Sequence, residues 1–174
     1  MHLEGTHLLK APVQVIYDML MDPEILARIT PGISRLEPTA EDTFDAHSSV
    51  KIGPVKGVFK GTVQITNKQP PNGFVLLINQ KSKIGNVAAE GSIQLNPKEA
   101  AETEVVFSGD AKLSGTLART GQRVLSGVAR TLTNQFFSDL ETEIDAIMAS
   151  QPQPVPKPDG LWARFTAWLK RLFG

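Results

Sequence analysis

The chain contains no cysteine, which excludes disulfides, thiol catalysis and thiolate metal sites. Histidine is almost as scarce: His2, His7 and His47 are the only three, and their spacing suits no helix-borne metal pair. The sequence has no Gly-x-Ser-x-Gly nucleophile elbow and no phosphate loop, since Gly53-Pro54 and Gly85-Asn86 read as turns. Lysine and arginine total 18 and aspartate and glutamate total 18, a balance that lends no support to nucleic-acid binding. No apolar run approaches the ~20 residues that span a bilayer. The opening MHLEGTHLLKAP lacks a basic stretch followed by an apolar one, so no signal peptide is expected and the chain should begin life in the cytoplasm. These absences favour a protein that is not an enzyme and holds no metal.

What is present is periodicity. The 174 residues suffice for one domain with a sizeable core plus an appendage. His2–Lys10 alternates as a first strand, with Leu3, Gly5, His7 and Leu9 on one side. Pro12 suits the first turn of a helix over Val13–Met21, whose Val13, Ile16, Tyr17 and Leu20 share a face. Asp22 caps a second short helix, with Pro23 in its first turn, through about Ile29 before Pro31-Gly32 ends it. From Ile33 the period becomes two. One parity collects Phe44, Ala46, Ser48, Val50 and Ile52, then Val55, Phe59, Val63 and Ile65. It continues with Phe74, Leu76 and Ile78, then Val87, Ala89, Gly91, Ile93 and Leu95, and ends with Val105, Phe107, Gly109, Ala111 and Leu113. Strands of about ten residues joined by short turns predict a curved antiparallel meander, with glycine and alanine on its inner face where it bends.

Thr116–Ala149 then reads as one long helix. Leu117, Val124, Leu125, Val128, Leu132, Phe136, Leu140, Ile144 and Ile147 recur at steps of three and four, and at 1.5 Å per residue it would run about 50 Å. Gly121 and Gly127 within it suggest close packing, a bend or room for something else. The expected order is β-α-α-β6-α, an α+β fold in which a curved sheet wraps the helix. The inner face is either a packed core or the wall of a ligand cavity, and the pattern leaves both open. The acidic run Asp139, Glu141, Glu143 and Asp145 reads as a solvated helix face.

After Ala149 the character changes. Residues 150–160, SQPQPVPKPDG, form a proline-rich spacer of polyproline type reaching roughly 30 Å. Residues 161–174, LWARFTAWLKRLFG, hold both tryptophans of the chain. On a helical wheel Leu161, Trp162, Phe165, Trp168, Leu169, Leu172 and Phe173 fall within an arc of roughly 140°, with Arg164, Lys170 and Arg171 outside it. About 20 Å of helix is too short to cross a bilayer but fits one lying in its interface. Docking in a partner's groove or on the chain's own domain is the alternative.

Three stretches carry a resemblance to a known family. They are the β-α-α opening with Asp22-Pro23-Glu24 and Pro31-Gly32, the turn and strand GPVKGVFKG over 53–61, and SGTLARTGQR over 114–123. Together they resemble the CoxG subunit of carbon monoxide dehydrogenase (CoxG-like), of the helix-grip (START, or SRPBCC) superfamily, over about Met1–Ile147. The resemblance implies a seven-stranded curved antiparallel sheet gripping a C-terminal helix over an apolar cavity. It also implies a role beside an aerobic CO dehydrogenase or related molybdenum hydroxylase: recruiting that enzyme to the cytoplasmic membrane and binding a respiratory quinone (menaquinone or ubiquinone). The superfamily has no fixed catalytic motif, so no active-site residue carries over.

The resulting expectation is a domain over 1–149, a linker over 150–160 and a membrane-binding helix over 161–174, peripheral on the inner face of the cell membrane. Phe59, Val63, Leu76, Ile78, Val87 and Phe107 would line one wall of a lipophilic-ligand cavity. Leu125, Ala129 and Leu132 would line the other, and Leu20 and Ile29 would form a lid. The rivals are a pure adaptor with a filled core, and a cyclase- or hydrolase-like enzyme using His7 or a cavity carboxylate.

Overall fold

The computed structural model describes residues 1–99, 101–150 and Arg171. Strand β1 (His2–Leu9) leads into helices α1 (Val13–Leu20) and α2 (Pro23–Ile29). Six strands follow: β2 (Ile33–Ala40), β3 (Thr43–Ile52), β4 (Val55–Gln69), β5 (Gly73–Ser82), β6 (Gly85–Lys98) and β7 (Glu102–Leu113). The chain then forms α3 (Gly115–Arg119) and α4 (Gln122–Ser150). The strands make one seven-stranded antiparallel sheet in the order β1-β7-β6-β5-β4-β3-β2. Strands β2 to β7 are a meander of neighbours, and β1 closes onto β7 at the far side.

The alternation is physical. On β4, Val55, Phe59 and Ile65 are buried while Lys56, Lys60, Thr62 and Gln64 between them are exposed, as a pleated strand with one wet face requires. Coiling of the sheet brings β4 and β5 so close that a Cβ at Gly61 would run into the backbone carbonyl of Asn79. Only glycine fits there. The Asp22 carboxylate accepts from the Glu24 backbone N–H at 2.9 Å, with Pro23 opening α2, the cap expected from the sequence.

The long helix is not continuous. Thr120 ends α3, and Gly121, at φ +97°, turns the chain before α4 begins. A left-handed residue cannot sit inside an α-helix, so the apolar period runs through a break it cannot register. Gly127 is exposed, and a Cβ there would meet nothing within 4 Å; close packing does not explain it.

The acidic run of α4 keeps Glu141 and Asp145 exposed, as expected of a solvated face, but it also makes contacts to other elements. His7 Nε2 donates to Glu141 at 2.6 Å. Arg28 donates twice to Glu143, at 2.8 and 3.2 Å. Two of the four carboxylates therefore pin α4 to β1 and α2, while the His7 ring stacks on Phe137 at 4.2 Å.

The core falls into two packed clusters. One, beneath α1 and α2, contains Leu9, Ile16, Ile29, Phe44, Ile65, Phe74, Leu95, Leu140 and Ile144. The other, at the α3 end, contains Val55, Phe59, Leu117, Leu125 and Val128.

Candidate functional site

Between the clusters lies a band of inward-facing residues in which Leu3, Val63 and Ile78 belong to neither cluster and Leu76 borders the first. Cross-strand register builds it. Val63 on β4 stands opposite Ile78 on β5, Ile78 opposite Ala89 on β6, and Ala89 opposite Ala111 on β7. In the neighbouring row Leu76 faces Gly91, Gly91 faces Gly109, and Gly109 faces Leu3. Large side chains thus stand on β4 and β5, while β6 and β7 offer only alanine and glycine. A Cβ added at Gly91 would meet no heavy atom within 4 Å. Leu3, Val63, Ile78, Ala89, Gly91, Gly109 and Ala111 are all half-buried despite pointing inward. Close-packed interiors leave few such positions, so this band is more loosely packed than the clusters and forms a shallow hollow in the concave face.

Helix α4 shows the same interruption. Val128 and Phe137 are buried, but Ala129, Leu132, Thr133 and Phe136 between them are only half-buried. At the α3 end an opening of about 380 Å³ leads in beside the break at Gly121. Met1, Ala111, Lys112, Leu113, Ala118, Gln122 and Leu125 line it. Ala111 lines this recess and also stands in the band, which places the two side by side.

The expected ligand-lining residues divide accordingly. Val63, Ile78 and Ala129 lie half-buried in the band, whereas Leu76 and Phe107 are half-buried against the first cluster and Val87 and Leu132 against the second. Phe59 and Leu125 are buried in the α3-end cluster. Leu20 and Ile29, expected as a lid, are buried at 5% and 0% exposure in the other cluster, and α2, which carries Ile29, is held by the Arg28–Glu143 pair. The loosely covered end is the opposite one. The tail residues Leu161, Trp162, Arg164, Phe165, Trp168, Leu169, Lys170, Leu172 and Phe173 lie outside the described residues, as does the proline-rich spacer beyond Ser150.

Sequence reasoning missed Leu3, Met1, Ala118 and Gln122, and the pairing of Gly91 with Gly109. The alternation of small residues was visible, but which small residue faces which is set by strand register.

One polar group among the apolar residues has no partner. The Tyr17 hydroxyl is buried without a hydrogen bond, its ring set edge-on to Phe74 at 6.3 Å. Burial raises its pKa above the ordinary 10.0, because the phenolate is disfavoured away from water. The native state therefore holds this proton more tightly than the unfolded chain. The associated stability is complete below about pH 10 and is lost as pH rises through the native value. Tyr17→Phe should stabilise the protein at neutral pH by about 1 kcal/mol, since it removes an unsatisfied hydroxyl, and should blunt the alkaline loss. Urea unfolding at pH 7 and above pH 10 checks both; a destabilised variant would mean that the hydroxyl has a partner.

Among the described residues no helix is long and apolar enough to cross a membrane, and no group of three or more histidine, aspartate or glutamate side chains gathers as a metal site. Residues 5–145 match the family model that describes the CoxG subunit of carbon monoxide dehydrogenase. Among solved structures, a conserved protein from Geobacillus kaustophilus is 34% identical with a TM-score of 0.82, the match covering 84% of this chain and 96% of that one. A START superfamily protein from Mycobacterium smegmatis shares 13% identity at TM-score 0.65, over 84% of this chain and 98% of its own. The Zhui aromatase/cyclase of a Streptomyces species shares 14% at TM-score 0.62, over 83% and 93%. The last two likenesses concern the fold alone. No curated protein matches the chain.

Proposed function

The chain belongs to the CoxG family of carbon monoxide dehydrogenase subunits, and from that premise we propose that it is a non-catalytic lipophilic-ligand carrier that works at the membrane beside a CO dehydrogenase-type molybdenum hydroxylase. The ligand we assign is a respiratory quinone with an isoprenoid tail. The observation that carries this reading is the apolar band left between the two packed clusters, where inward-facing Val63, Ile78 and Ala129 belong to neither.

The residues present suit such a molecule. Val63, Ile78, Val87, Phe107 and Leu132 offer apolar walls, and the glycine–alanine floor on β6 and β7 supplies the depth. Burying roughly 200 Å² of tail is worth about 5 kcal/mol before ordering costs. A bound quinone would supply the capacity to accept electrons; the chain's own part is to hold it and keep it out of water. The basic aromatic segment over 161–174 would keep the carrier at the bilayer where such ligands reside.

Two substitutions test the site. Gly91→Val enters open space on an inward face, suits a strand, and should leave the melting temperature unchanged or higher. Ala129→Trp fills the same band from the helix side. Protein purified from a quinone-containing membrane background should yield stoichiometric quinone on organic extraction and in native mass spectrometry. Both variants should retain about one-tenth of that or less while remaining folded, because the band cannot hold ligand and new side chain together. Wild-type protein that is empty and also fails to take up added quinone would leave the adaptor as the better reading.

A further inference from the structure

The convex face of the sheet, away from the hollow, has a recess of about 540 Å³ across β4, β5, β6 and β7. Lys60, Lys81 and Lys112 line it together with Thr62, Asn79 and Asn86, and no carboxylate is among its lining residues. All three lysines are exposed. Lys60 stands directly opposite Lys81 across the β4–β5 pair, and Lys51 stands opposite Lys56 beside it. Like charges in direct cross-strand register destabilise a sheet, so the arrangement is an expense with no return inside the folded chain. Lys68 and Lys98 find carboxylates on Asp42 and Glu104, whereas among the described residues Lys60, Lys81 and Lys112 form no ion pair.

The position of the recess gives it meaning. Lys112 and Leu113 line both this recess and the mouth at the α3 end. Whatever sits among the lysines therefore lies against residues that also line the α3-end recess. Val87, Ala88 and Leu113 line the recess as well, so the occupant should be anionic, enter a concavity, and bring some apolar surface along with its charge. A flat anionic bilayer meets the charge requirement but cannot fill a recess, and the lining has no aromatic residue to insert among acyl chains. Lysines, as flexible point charges with rotatable donors, accommodate carboxylates in varied geometry. We propose that this recess is a docking site for an acidic segment of a protein partner, which it holds against the mouth of the grip. That the contact serves ligand transfer rests on the carrier reading given above; the docking site itself does not.

The test uses the full chain and a defined probe, a fluorescein-labelled peptide of alternating glutamate and serine. Titration should perturb the amide resonances of Thr62, Asn79, Lys81, Asn86 and Lys112, with affinity falling steeply as salt is added. Lys60→Glu/Lys81→Glu should weaken peptide binding by about tenfold or more, and Lys60→Gln/Lys81→Gln by less. The charge-reversed variant should melt like the parent and the glutamine variant at or above it, since the like-charge pair is gone. Both should keep the parent's quinone content, float equally well with phosphatidylglycerol-containing vesicles and sediment as it does. Unchanged peptide affinity in the charge-reversed variant would overturn the proposal. So would impaired flotation with peptide binding intact, which would assign the recess to the bilayer, or loss of self-association, which would assign it to a second copy. A parent protein that binds the peptide but never carries quinone would sustain the docking site and remove its role in transfer.

Discussion

Full-length protein should float with vesicles of phosphatidylcholine and phosphatidylglycerol, and a chain ending at Ser150 should stay behind. The residues removed contain Arg164, Lys170 and Arg171 beside an apolar arc with both tryptophans. Each cation near an anionic surface contributes on the order of 1 kcal/mol, so the three alone correspond to about a hundredfold in partition. Burial of Trp162, Phe165 and Trp168 adds to that. The folded domain should not suffer, because among the described residues both packed clusters and the side chains against them end at Ile147. Trp162→Glu/Trp168→Glu in the full chain should reproduce most of the loss, and added salt should weaken the parent by screening the cations. Equal flotation of the truncated and full-length chains would show that the tail is no anchor and that the folded domain itself meets the bilayer.

Replacement of Leu140 by alanine should cost about 3 kcal/mol of stability. Its side chain is at 0% exposure, in the same cluster as Leu9, Ile16, Ile29 and Leu95, and truncation there leaves a cavity that the surrounding strands and helices cannot fill by collapsing. For a domain of this size the melting temperature should fall by about 10 °C, a large part of the usual margin of about 5–15 kcal/mol. Val63→Ala is the informative contrast. Val63 points inward but is half-buried and belongs to neither cluster, so its truncation should cost below about 1 kcal/mol. Urea unfolding of the two variants decides whether the band between the clusters is hollow. If Val63→Ala proves as damaging as Leu140→Ala, the band is packed and the carrier has no room for its ligand.

The contrast between these residues marks where sequence and structure part company. Val63 and Ile65 share a parity on β4 and read alike from periodicity, because alternation reports only which face of a strand a side chain takes. That was enough to assign the concave face correctly on five strands and to place Asp22-Pro23 at a helix start. Together with the resemblance over the opening, the 53–61 turn and the 114–123 stretch, it was enough for the seven-stranded grip. The break at Gly121 stayed hidden because the apolar residues on either side keep the helical step. Glu141 and Glu143 read as solvent-facing because their partners, His7 and Arg28, lie over 100 residues away in the chain.

The residue pattern alone was enough for the face of most strands, the order of the elements up to the long helix and the basic aromatic character of the tail, since each of these is written in residues near one another along the chain. Only the tertiary structure decided that Gly91 would face Gly109 and Ala89 face Ala111, that the core would divide at that band, and that three lysines would gather unpaired beside the mouth. Those outcomes depend on register between strands, and register is a relation between distant segments that no local pattern contains.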